Sequence, residues 1–182
     1  MFYSFFKKYF SKKERFKTSI LFCLLIGMIV LMRLFDAPLK NEIAPAGIVS
    51  FELAKDVEKS KFILNSWNTE AVISAKKSMY FDFLFLCIYS TFMGLLIFKL
   101  NRKLEVRNHI LTEIMIGAVF IAAFFDVIEN IALLQLIYGN YKQIWSSMAY
   151  YFAALKFILL AIAIVYILVG SSILLLRKKH KD

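Results

Sequence analysis

The sequence predicts an all-α fold: a polytopic membrane four-helix bundle with an N-terminal interfacial helix and an amphipathic helix in its first outside loop. Three observations predict it. Hydrophobic residues make up 60% of the 182, against about 45–50% in ordinary soluble domains. They are gathered into four long apolar runs, and the basic residues collect at the ends of those runs. The length fits one membrane domain over residues 1–182 better than two.

The first run, residues 18–35 (TSILFCLLIGMIVLMRLF), advances about 1.5 Å per residue and is just long enough for a hydrocarbon core of about 30 Å. It exceeds the h-region of a signal peptide, and no convincing small-x-small cleavage site follows it. It reads as a retained anchor. Further runs at about 80–100, 110–138 and 148–176 complete four spans, with an outside loop at 36–79. An even number of spans puts both termini on one side.

The formal net charge of +10 would raise the question of nucleic acid in a soluble protein. Here it reads as topology and attraction to anionic membrane lipids, and no nucleic-acid partner is expected. Lys7, Lys8, Lys12, Lys13, Arg15 and Lys17 precede the first span. Lys99, Arg102, Lys103 and Arg107 lie in the second connection, and Arg177, Lys178, Lys179 and Lys181 follow the last span. Positive segments stay in the cytoplasm, so both termini and the second connection are placed inside a cell membrane. The third connection holds Lys142 alone, and the lysines of 36–79 are balanced by acidic residues.

Before the first span, Phe2, Phe5, Phe6, Tyr9 and Phe16 fall along one helical face opposite lysines, the pattern of an interfacial helix. In the long loop, Val49, Leu53, Val57, Leu64 and Trp67 form an apolar stripe after Ala-Pro-Ala-Gly. This predicts an amphipathic lid over the bundle. Asn68 or Thr69 is placed to cap a helix leading into the second span. Trp67, Trp145 and tyrosines 138, 141, 150 and 151 read as an outer aromatic belt. The pairs Ser90 and Gly94, Ala118 and Ala122, and Ala149 and Ala153 suit close helix contact.

Ionisable residues inside a span cost about 2.5–3.5 kcal/mol each at its centre, so they tend to face the bundle and to be used. The chain has Arg33, Asp82, Asp126, Glu129 and Lys156, and with alternating helix directions all five fall in the outer half. Asp126, Glu129 and Asn130 stand at i, i+3 and i+4 and share one face. Lys156 reaches about the depth of Glu129 and is placed to neutralise it. Asp82 joins from the second span with Tyr80 or Tyr89. The bland alternatives are snorkelling or capping for Arg33 and Asp82, and a structural network for the rest. Cys23 and Cys87 read as packing residues, and neither the histidines nor any motif implies a metal or cofactor.

The combination APAGIVSFELA, an outer tryptophan, FDFLFLCIYS, DVIEN and a lysine early in the last span resembles a family of small four-helix bacterial membrane proteins without an assigned activity. The resemblance runs from about residue 37 to about 170. It implies a bacterial inner-membrane location and draws attention to Glu52, Asp82, Asp126, Glu129, Asn130 and Lys156.

Four uses compete for this polar cluster. It binds the head group of a lipid or other amphiphile, the expectation placed first. It catalyses a step on a lipid or acyl chain, with Asp126 or Glu129 as acid or base. It carries protons or ions, disfavoured because the inner half offers only Glu113. Or it pairs with another membrane protein, and a homodimer is also compatible with four short spans.

Overall fold

The computed structural model describes residues 1–10, 14–106 and 109–179, without the side chains of 178 and 179. Lys12, Lys13, Arg107, Lys181 and the side chains of Lys178 and Lys179 therefore lie outside the description. The described residues are helical, with no strand among them. In chain order the helices are α1 (Phe2–Phe10), α2 (Glu14–Asp36), α3 (Ile48–Glu52), α4 (Val57–Ser66), α5 (Thr69–Lys103), α6 (His109–Ile137) and α7 (Gln143–Lys179), with a 3-10 turn at Ala37–Leu39. Four of them, α2, α5, α6 and α7, are long and apolar enough to cross a membrane.

Several helices outlast their apolar runs. α5 has 35 residues, which at about 1.5 Å each far exceeds a hydrocarbon core of about 30 Å. The excess lies at its start, where Ala71 and Ala75 are buried in a hydrophobic cluster with Leu39, Phe51, Ile63, Trp67, Leu133 and Leu136. That cluster holds the 37–68 segment over one end of the bundle, the capped end. Asn68 begins α5 as its N-cap, its Oδ1 accepting from the Ala71 N–H at 2.8 Å.

The opposite end gathers the starts of α2 and α6 and the ends of α5 and α7. Glu14 binds Arg102 at 2.5 Å and Lys99 at 3.5 Å, and Arg177 donates to the Leu104 carbonyl at 3.4 Å. α1 docks here as well. Glu113 accepts from the Phe2 and Tyr3 N–H groups at 2.7 and 2.9 Å, placing an anion at the N-terminus of α1. Phe6 is fully buried against Phe98 and Ile116. Gly94 makes that seat, since a Cβ there would come within 2.9 Å of the Phe6 ring. Phe5, Tyr9 and Phe16 stay exposed.

Packing is uneven. α6 pairs extensively with both α5 and α7, whereas α2 lies along α5 and hardly touches α7. Only Met28 of α2 is buried, and its exposed Phe22, Leu24, Ile26 and Val30 suit a lipid-facing surface.

Two expectations are revised. The stripe in 48–67 is carried by two short helices, because the chain breaks at Lys55, whose φ is 67°. Trp67 is no belt residue: it is 6% exposed, packs edge-on against Phe51 and donates its indole N–H to the Leu39 carbonyl at 2.9 Å. A buried indole needs an acceptor, and the 3-10 turn supplies one.

α3 is aimed by one junction. Gly47 precedes it at φ 61°, and a Cβ there would overlap the Asp36 carboxylate. Asp36, the last residue of α2, accepts from the Ile48 N–H at 2.8 Å. Replacing Gly47→Ala is expected to cost about 1–3 kcal/mol through the strained backbone alone. The measurement is the unfolding midpoint in detergent, and an unchanged midpoint would refute this account of the junction.

Candidate functional site

Helical spacing builds most of the site. On α6, Asp126, Glu129 and Asn130 share the buried face with Ala122, Ala123 and Leu133. On α7, Lys156 follows the buried Ala149 and Ala153, whose small side chains let α6 approach. On α5, Asp82 and Tyr89 flank Leu86, and all three are buried. Glu52 comes from the last residue of α3 in the cap.

The structure gathers these seven candidates, Glu52, Asp82, Tyr89, Asp126, Glu129, Asn130 and Lys156, at the capped half of the bundle. Each is less than a tenth exposed, and Glu129 is wholly buried. Lys156 Nζ is the hub: it lies 2.9 Å from Asp126 Oδ1, 2.7 Å from Glu129 Oε2 and 4.0 Å from Glu52 Oε2. Tyr89 donates its hydroxyl to Asp126 Oδ2 at 3.0 Å, and Asn130 Nδ2 donates to Asp82 Oδ2 at 2.5 Å. Arg33 is exposed and Tyr80 bonds Tyr138 at 3.0 Å, so neither belongs to the cluster.

Three carboxyl groups therefore surround one ammonium, and a fourth, Asp82, stands beside them on Asn130. Lys156 meets Glu129 through Oε2 at 2.7 Å, the Glu52 and Glu129 carboxyls lie against each other, and Glu129 Oε1 has no donor among the described residues. Burial pushes the Glu52 carboxyl above its ordinary range; Lys156 opposes that shift, and the Asp126 charge adds to it. Among the described residues, no three histidine, cysteine or carboxylate side chains converge as metal ligands.

A cavity of about 510 Å³ opens from the cluster. Glu52, Asp82, Tyr89, Asp126 and Lys156 form its polar end, while Leu25 and Ile29 of α2, Val49 of α3, Phe85, Phe92, Met93 and Leu96 of α5, and Phe157, Leu160, Ile164, Ile167 and Leu168 of α7 form the rest. From Lys156 to Leu168 the α7 axis advances about 18 Å, so the cavity is a groove along the helices. Its α2 and α7 walls scarcely meet, which leaves it open sideways. Sequence reasoning missed these apolar walls. They carry no distinguishing signal, because each lies in a helix apolar on all sides.

Comparison with protein-family models, curated proteins and solved structures returned no match. The likeness to small four-helix bacterial membrane proteins rests on the quoted motifs alone.

Losing the hub should be worse than losing a spoke. Lys156→Met leaves buried carboxylates unpaired and is expected to cost about 3–5 kcal/mol, whereas Tyr89→Phe removes one hydrogen bond, about 1 kcal/mol. Unfolding by SDS titration reads both, and equal losses would mean that Lys156 does not hold the cluster.

Proposed function

We propose that this membrane protein binds a lipid or other amphiphilic small molecule, its head group at the cluster around Lys156 and its chain along the α2–α5–α7 groove. One observation carries the reading. The groove is polar and charged at one end, apolar along the rest and open toward the side where membrane lipid would lie. That is the form of a small-molecule site between bundle helices: mostly apolar walls with a few convergent polar groups. Catalysis on the same amphiphile asks more of the site, since its lysine is already engaged by two carboxylates.

The finer topology belongs to the same reading. Both termini lie in the cytoplasm of a bacterial cell, and the site lies in the outer half of the inner membrane. The support is the density of lysine and arginine at the end that gathers the termini. α1 rests in the cytoplasmic interface there, and the cap faces outward.

Mass spectrometry of the protein purified in mild detergent is expected to find one copurifying amphiphile. Leu160→Trp, which fills the groove one helical turn beyond Lys156, should lower its occupancy about ten-fold, equivalent to about 1.4 kcal/mol, without altering the unfolding midpoint. Glu129→Gln should also weaken retention. Full occupancy in both variants would sink the reading.

A further inference from the structure

The inference drawn here rests on that groove reading and names the chemistry of the head group. We propose that the ligand carries a protonated amine and no anionic group.

The argument is an inventory of donors and acceptors. The cluster's donors Lys156, Tyr89 and Asn130 all face its own carboxylates. Lys156 reaches Asp126 and Glu129 at 2.9 and 2.7 Å, Tyr89 donates to Asp126, and Asn130 donates to Asp82. A phosphate or carboxylate head group, which needs donors, would have to compete with those carboxylates for Lys156.

Acceptors are in surplus. Glu52 Oε2 is buried beside the Glu129 carboxyl, has no N–H or hydroxyl donor among the described residues, and belongs to a residue lining the groove. The lysine lies 4.0 Å from it, beyond hydrogen-bond reach. Asp82 lies on the same wall, paired only with a neutral amide. An ammonium entering from the groove supplies both the missing donor and positive charge where carboxyls outnumber the one cation. An anionic head group would add to the repulsion. A neutral hydroxyl supplies the donor without the charge and should bind more weakly.

Three probes with one chain separate these cases: dodecylamine, dodecanol and dodecyl phosphate. Each is titrated at pH 7 by calorimetry into the full chain in zwitterionic nanodiscs, with empty nanodiscs as baseline. The amine is expected to bind at least about ten-fold more tightly than the alcohol, with the phosphate at baseline. Glu52→Gln should weaken the amine about ten-fold while changing the alcohol by less than about two-fold. Leu160→Trp should abolish binding of both above baseline.

Dodecyl phosphate binding as tightly as the amine, or amine binding indifferent to Glu52→Gln, overturns the head-group assignment while leaving the groove standing. Failure of all three probes to exceed baseline, or indifference of all binding to Leu160→Trp, overturns the groove and this assignment with it.

Discussion

The bundle is organised around a cation that has nowhere else to go. Lys156 is buried well away from either end of α7, so its ammonium is stable only where carboxylates meet it, and α6 brings two of them. Removing such groups from water costs several kcal/mol per ion after relaxation, roughly the size of what the pairing returns. The network is thus weak as a source of net stability and strong as a constraint. Sliding α7 along α6 by one turn, about 5.4 Å, would strand the ammonium and two carboxylates together. Register between these helices follows from that penalty, and the small alanines of α7 let it be met at close range.

A membrane interior offers helices no hydrophobic reason to associate, because lipid tails are as apolar as leucine. The uneven packing follows from where each helix has something else to offer. α6 carries the charged face and is gripped from both sides. α2 carries no acid or base along its buried side and remains at the rim, tied by Glu14 at one end and by Asp36 at the other. A wall held at its ends and lightly packed between them is the wall along which a groove can stay open.

Much of the cluster was legible in the sequence, for a definite reason. Charge inside an apolar run is rare and expensive, so Asp126, Glu129 and Lys156 stood out singly, and helical spacing placed Asn130 with them. Alternating helix direction then set them at a common depth. Glu52 was reached only through resemblance, since its place depends on a left-handed Gly47 that turns the chain back over the bundle. Trp67 misled because an indole near a membrane surface and an indole bonded to a buried carbonyl look alike in sequence. The break at Lys55 was hidden by an apolar stripe that happens to continue across it. The groove walls were invisible, because in a helix apolar all round no pattern separates residues facing lipid from those facing a cavity.

The cap and the groove are mechanically one unit. The end of α2 is tied to both the cap and α5: Asp36 receives the Ile48 N–H and the Phe35 carbonyl receives the Ser74 hydroxyl at 3.0 Å, while within the cap the Leu39 carbonyl receives the Trp67 indole. α3 is only five residues long, so Glu52 at its far end moves with whatever moves Gly47. The same α2 forms one side of the lateral opening through Leu25 and Ile29. On the lipid-binding proposal, a helix that yields to admit a chain between itself and α7 would also carry Glu52, the one carboxyl of the site from outside the long helices. Admission of the chain and placement of Glu52 would then be joined through a single helix, with the Asp36–Ile48 hydrogen bond beside Gly47 as the junction between them.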